Sequence, residues 1–310
     1  MTSAVTRNIS SPRKPKFKSR SARTAALLLA PFVVFFVAMY LAPLCFAVYR
    51  SLFVLKRDGL GLSAPTMVFD PLANYLKAST DPLFIESLGR VLLFGVVQVP
   101  AMLGLATGLA LLIDTRSARA KGFFRLTSFL PYAIPGVIAA LMWSFLYSKS
   151  SSPINALLEP LGVALPFLSE DMVLWSVANI VTWGWAGYNM IIIYSALQSI
   201  PEEILQAAKI DGASAWKIAW HIKIPMVRPA LILTTVFSII GTAQLYNEPK
   251  VLQSISGGSI DSSFTPIMAA QAATAAQNYP YAAATSVVLA VLVGALSITF
   301  FKITSRGSDS

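Results

Sequence analysis

Six stretches without a single Asp, Glu, Lys or Arg divide this chain: 24–49, 91–113, 126–148, 172–201, 229–247 and 262–301. Between them charges and turn-forming residues cluster. A charged side chain at the centre of a bilayer costs about 2.5 to 3.5 kcal/mol on insertion scales, so charge-free intervals mark the segments that can cross. Each is long enough for the ~20 residues a helix needs to span hydrocarbon, the last from about Tyr281 onward. Lipid-exposed backbone must satisfy its own hydrogen bonds, which makes helices the expected form. The pattern predicts an all-α membrane protein with six transmembrane helices over 24–303. A basic tail, 1–23, precedes them, and a short C-terminal end, 304–310, follows.

Composition agrees: 55% hydrophobic and 12% charged residues with a mean hydropathy of +0.66 is more apolar surface than one soluble core can hide. The positive charges add a direction. Arg7, Arg13, Lys14, Lys16, Lys18, Arg20 and Arg23 lie before the first span, Arg116, Arg119, Lys121 and Arg125 between the second and third. Lys209, Lys217, Lys223 and Arg228 lie between the fourth and fifth, and Lys302 and Arg306 at the end of the sixth. These fall on one side and hold most of the 24 Lys and Arg, so the positive-inside bias predicts a multi-pass inner-membrane protein with both termini cytoplasmic. The net charge of +10 is thereby assigned to anionic lipid headgroups. Nucleic acid is not expected, because the tail lacks interleaved aromatics apart from Phe17. The tail is expected to be disordered and not a cleavable leader.

Chemistry is sparse. Cys45 and His221 are the sole residues of their kinds, and no GxxxxGK[ST] string occurs. A cysteine or histidine metal site, a histidine-based triad and an internal P-loop are therefore not expected, and the chain reads as no enzyme, without a cofactor of its own. Polar residues inside spans are costly unless they face a bundle interior or a watery cavity. Asn179, Trp183, Trp185, Tyr188 and Asn189 gather on the fourth span, and Gln244, Tyr246, Asn247 and Glu248 on the fifth. Aromatic faces with amides and a carboxylate suit a hydroxylated ligand; interfacial anchoring and helix-helix bonding are the competing roles. Gly104 and Gly108 make a GxxxG pattern for close helix packing. Pro131 and Pro135 predict a kink in the third span.

The most ordered polar segment is 206–229, QAAKIDGASAWKIAWHIKIPMVRP. Pro201, Glu202 and Glu203 resemble a helix start, Asp211-Gly212 is a turn signal, and Ser214 is placed to cap a second short helix that runs to Ile222 and ends at Pro225. The expectation is a helix-turn-helix along the inner membrane surface, with a smooth knob of Ala207, Ala208, Gly212 and Ala213.

These residues resemble the inner-membrane permease subunits of binding-protein-dependent ABC importers of the sugar and glycerol-3-phosphate type, whose EAA loop reads E-A-A, then D-G-A, then I-x-L-P. Here the matching residues are Gln206-Ala207-Ala208, Asp211-Gly212-Ala213 and Ile222-Lys223-Ile224-Pro225. Asn74-Tyr75, 129–135 and 244–249 extend the likeness over most of the chain. The resemblance implies that the 202–229 loop docks an ATPase subunit through Gln206, Ala207, Ala208, Asp211, Gly212, Ala213 and Pro225. It also implies that Trp183, Tyr188, Asn189, Gln244, Tyr246, Asn247 and Glu248 border the substrate pathway. Implied partners are a second permease subunit, a related but different chain, two copies of an ATP-binding subunit carrying ATP and Mg, and an external solute-binding protein. Gln206 departs from the family's glutamate and can offer only neutral hydrogen bonds, roughly half as strong as charge-assisted ones. The alternatives are a self-sufficient secondary transporter, which commonly needs buried ionisable groups, and an intramembrane enzyme.

Overall fold

The computed structural model describes residues 19–56, 65–115, 119–149 and 152–306, with the side chains of 19–22 and 305–306 outside the description. The basic tail up to Lys18, and Arg116, lie outside the described residues. Two compact units result, 1–49 and 50–310. In the first, α1 (Ser19–Phe36) passes through a widened π turn, Val37–Leu41, into α2 (Ala42–Ser51). The whole is a continuous apolar rod from Arg23 to Ser51. The wide turn has a local cause. Pro43 has no N–H for the carbonyl four residues back and its ring crowds that carbonyl. The turn before it opens so that Ala42 N–H reaches Val37 O instead.

The second unit opens on a hairpin, β1 (Phe53–Lys56) against antiparallel β2 (Thr66–Phe69), with Phe53 opposite Phe69. Next comes α3 (Ala73–Thr80), pinned by Asn74, whose buried amide donates to Ser51 O (3.1 Å) and Phe53 O (2.6 Å). Asp81 caps α4 (Pro82–Asp114) by accepting from Leu83 N–H, with Pro82 where a missing donor costs nothing. Apart from Val99, its buried residues, Phe84, Ser87, Val91, Phe94, Gln98, Met102, Ala106, Ala110 and Ile113, recur every three or four positions and form one stripe.

The third expected span is not one rod. α5 (Lys121–Ala133) and α6 (Gly136–Tyr147) meet at 94°. Pro131 sits inside α5, and the break falls at Ile134 and Pro135. Ile134 is extended (φ −82°, ψ 126°), the conformation that a following proline imposes on its neighbour. α7 (Pro153–Leu158), capped by Ser152, leads to α8 (Val173–Leu197). The loop elements α9 (Glu202–Ile210), α10 (Ala215–Ile218) and α11 (Ile224–Met226) follow. Then come α12 (Arg228–Ala243), α13 (Asn247–Leu252), α14 (Pro266–Ala275) and α15 (Tyr279–Arg306).

Among the described residues four helical stretches have the length and apolarity to cross a membrane: Arg23–Ser51, Pro82–Asp114, Arg228–Leu252 and Tyr279–Thr304. The bent pair α5 and α6 is a fifth if taken as one span. At 25 residues, or ~37 Å at 1.5 Å per residue, α8 has the length as well, but its polar and aromatic side chains dilute its apolarity.

Three apolar clusters hold the second unit. One, around Phe94, Val177, Leu245 and Leu252, joins α4, α8 and the α12–α13 region. Another, with Ala106, Ala110, Met190, Ile193, Leu197 and Val227, locks the other end of α4 and α8 to the segment that follows α11. The smallest packs Ala78 and Phe84 on Tyr281, whose hydroxyl donates to Asp81 (2.6 Å). The GxxxG pair makes no close helix approach among the described residues, since a Cβ on Gly104 or Gly108 would meet nothing within 4 Å. The tightest glycine is Gly187, where an added Cβ would stand 1.8 Å from the backbone oxygen of Ser128, so α5 crosses α8 directly over it.

Candidate functional site

Two features of the second unit stand out, a cavity lined by apolar, aromatic and polar side chains and the loop from 202 to 229. The cavity, about 230 Å³, is walled by Gln98 and Met102 of α4, Val181, Trp185, Tyr188 and Asn189 of α8, and Phe237, Ser238, Gly241, Thr242 and 244–248 at the end of α12 and start of α13. The helix breaks at 244–246: Gln244 and Tyr246 have left helical geometry (φ −94° and −144°), and α13 restarts at Asn247. Irregular backbone at membrane depth is tolerated where it lines a cavity, and this break does so.

Six of the seven pathway residues expected from the sequence, Tyr188, Asn189, Gln244, Tyr246, Asn247 and Glu248, come together there, joined by Trp185. Trp183 does not. Its ring lies edge-on to Trp143 (5.8 Å between centroids), and Asn179 on the same face donates to the Tyr147 hydroxyl (2.8 Å). Those two residues hold α8 to α6. The separation follows from helical phase, since Asn179 and Trp183 are four apart, as are Trp185 and Asn189, while Trp183 and Tyr188 are turned ~140° from each other.

The aromatic wall is fixed by stacking. Tyr188 lies parallel to Tyr132 of α5 (4.6 Å) and edge-on to Trp185 (5.8 Å). Asn189 donates to Trp185 O (3.1 Å), which commits one amide hydrogen within its own helix. Gln98, which is buried, donates to Thr182 Oγ1 (3.2 Å) and to Met102 Sδ (3.4 Å), and its Oε1 has no partner among the described residues. The sequence reading missed Gln98. The signal was present: it is the one amide in the charge-free interval 91–113. Across the cavity, Glu248 Oε1 lies 3.6 Å from where a Cβ on Gly136 would stand, so the carboxyl abuts the first residue of α6.

The loop folds as its turn residues require. α9 ends on Gly212 in the left-handed region (φ +80°), where glycine carries no Cβ penalty. Ala213 N–H returns to Ala208 O (2.9 Å) and Gly212 N–H to Lys209 O (3.1 Å), the paired bonds of a Schellman end. Ser214 then caps α10 through Lys217 N–H. One expectation fails: Pro225 does not end the second helix. A π turn, Ala219–Lys223, widens the backbone ahead of Pro225, and α11 continues through it to Met226, as happens before Pro43.

Gln206, Ala207, Asp211, Gly212 and Pro225 are exposed, Ala208 and Ala213 half-buried. Around them Ile210 is 86% exposed and Trp216 73% exposed, with Trp216 stacked on the exposed Trp220 (5.8 Å). The far side of the loop is anchored. Lys223 pairs with Asp114 at the end of α4, Gln198 at the end of α8 donates to the same carboxylate, and Val227 is buried in the α4–α8 cluster. Arg228 donates to Thr304 O of α15 (2.8 Å). An exposed apolar knob is thus tied to the helices that wall the cavity.

A cavity among apolar helices and an elbow anchored to the same helices are features suited to a transport component. The chain belongs to the binding-protein-dependent transport system inner membrane component family, whose description matches residues 102–306. It is 32% identical over 284 residues to the lactose transport system permease protein LacF of Rhizobium radiobacter, covering 89% of this chain and 92% of that one. It is 30% identical over 221 residues to the sn-glycerol-3-phosphate transport system permease protein UgpA of Agrobacterium fabrum, covering 70% and 73%. Its fold matches a chain of a bacterial ABC transporter involved in the import of the acidic polysaccharide alginate, with a TM-score of 0.77 at 19% identity over 93% of this chain and 96% of that one.

Proposed function

We propose that this chain is one permease subunit of an ATP-driven importer for a carbohydrate or related polyol, forming half of the translocation pathway and docking an ATPase subunit through the 202–229 loop. Its six spans are α1–α2, α4, the bent pair α5–α6, α8, α12–α13 and α15, with both termini in the cytoplasm. The observation that carries the reading is the loop: an exposed surface of small residues and stacked tryptophans, whose other face is bonded to α4 and α8. A partner that pushes on the knob moves the cavity helices with it. Coupling needs such an element, biased by both sites.

Family membership, and relatives named for lactose and for glycerol 3-phosphate transport, support an importer with carbohydrate-type cargo. The partners that complete it are a second, related permease chain, two ATP-binding subunits that hold ATP and Mg, and an external solute-binding protein. A fold neighbour of this chain was solved together with a periplasmic protein bound to an alginate pentasaccharide. A lone secondary transporter is less favoured, because Glu248 is the sole charged residue among the cavity's described lining. Purification of the tagged chain from membranes, with its partners identified by mass, tests the reading. An ATP-binding subunit and ATP-dependent uptake in proteoliposomes are expected; uptake by this chain alone, driven by an ion gradient, would overturn it.

A further inference from the structure

We infer that Pro225 is a positioning residue: it holds open the wide turn at 219–223, and that turn sets the rotation in which the elbow is fastened to the bundle. The inference rests on the docking role proposed above for the 202–229 loop, and it gives Pro225 a task that needs no contact with a partner.

The first observation is the hydrogen bond that defines the turn. Ile224, the residue before the proline, donates its N–H to Ala219 O, five positions back instead of four. In a regular helix the ring of Pro225 would crowd the carbonyl four residues before it, and the missing N–H forgoes that bond in any case. The same pattern stands at the other wide turn, where Ala42 N–H meets Val37 O just before Pro43. Helix continues beyond both.

The second observation is phase. Ile218 and Val227, nine positions apart, are both buried, at 4% and 2% exposed. Nine steps of α-helix turn through about 900°, which would put the two on opposite faces. The wide turn takes up one residue more than a regular turn, which leaves about 800° and brings them within about 80° of each other. On the same count Lys223, the partner of Asp114, falls between them, about 40° from each. The stacked Trp216 and Trp220 fall on the far face, where both are exposed.

A proline alone does not dictate such a turn, since Pro100 lies inside α4 without one. There the buried residues on either side, Gln98, Met102 and Ala106, already keep helical spacing. At Pro225 the anchors are out of step with a straight helix, so the proline weakens the straight form and the anchors select the wide one. Val227 is packed between α4 and α8, and Arg228 holds Thr304 O, so the bundle side is the fixed one. Loss of the turn would swing the elbow by about one residue's rotation, roughly 100°, taking Ile218 from its seat and the 207–213 knob with it.

The test restores the phase by a second change. A straight helix has one residue too many here, and His221 is the one to remove: it is exposed, and its ring Nδ1 lies 3.3 Å from Lys217 O of its own helix. In the assembled importer, Pro225→Ala should lose most of the cargo moved per ATP hydrolysed. Pro225→Ala with His221 deleted should regain it, and deletion of His221 with Pro225 kept should not. Rotation is read directly from Ile218→Cys with Cys45→Ala, so that one thiol remains, labelled from the cytoplasmic face in inverted membrane vesicles. That thiol should be shielded when Pro225 is present, reactive with Pro225→Ala, and shielded again when His221 is also deleted. Continued shielding or full coupling with Pro225→Ala overturns the inference, and so does a double variant no better coupled than Pro225→Ala. If Pro225→Ala does not assemble, the double variant decides alone, coupled transport supporting the inference and its failure overturning it. The labelling needs no ATPase. A wild-type chain that purifies without any ATP-binding subunit therefore overturns the importer reading, while the thiol still judges the turn.

Discussion

Breaking the ion pair between Lys223 and Asp114 should separate ATP hydrolysis from transport. The pair joins the wide turn of the loop to the end of α4 across 109 positions of sequence, and its side chains are 14% and 9% exposed. Gln198 of α8 donates to the other oxygen of the same carboxylate, so one acidic group gathers three elements. Removing one member of a buried pair costs about 3 to 5 kcal/mol, because the survivor is left desolvated and uncompensated. Here Gln198 still solvates Asp114 when Lys223 is lost, and both groups keep some access to water. Lys223→Met and Asp114→Asn are therefore each expected to cost about 2 to 3 kcal/mol, and the double variant about 1 kcal/mol, since neither charge is then stranded. Unfolding of the purified complex in detergent mixtures measures the cycle. Cargo moved per ATP hydrolysed measures the consequence. All three variants should hydrolyse ATP yet move less cargo, including the double variant whose stability has recovered. Additive stability losses, or full coupling in the double variant, would refute the reasoning.

Other substitutions probe separate contacts. Gly187→Ala puts a methyl 1.8 Å from Ser128 O, where a C···O contact is ordinarily about 3.3 Å, so α5 must retreat and the Tyr132–Tyr188 stack must loosen; a melting temperature lower by several degrees and reduced uptake are expected. Gly212→Val forces a β-branched residue into φ +80° at about 1 to 2 kcal/mol and roughens the knob, so the ATPase should fail to co-purify while insertion into the membrane stays normal.

How far the sequence foretold this arrangement depends on the kind of signal. The end of α9 was legible because Gly212 supplies a backbone conformation that few residues tolerate, and the hydrogen bonds at 207–213 follow from it. The split of the third interval was half legible. Two prolines announced a disturbance, yet Pro131 fits the last turn of α5, and the right-angle break comes from the pre-proline restriction on Ile134. The wide turns before Pro43 and Pro225 were not foreseen, because a proline read locally says that a helix stops, and the backbone has another way to absorb it. At the cavity, composition gathered the right residues on α8 but phase sorted them. Trp183 and Asn179 face α6, Trp185 and Asn189 face the cavity, and a count of 100° per residue would have parted them. Gly104 and Gly108 show the converse, a packing motif that meets no close neighbour among the described residues. Asp114 and Gln198 were invisible in advance because their importance is a matter of three distant segments meeting.

The account stands on the 202–229 elbow facing the cytoplasm and carrying an ATP-hydrolysing subunit. A single cysteine at Ala207, in a Cys45→Ala background, measures both at once in cells and in membranes. It should resist a membrane-impermeant thiol reagent applied outside intact cells, and in isolated membranes a short thiol cross-linker should join it to an ATP-binding partner. Labelling from outside, or cross-links to every neighbour except such a subunit, would contradict the account.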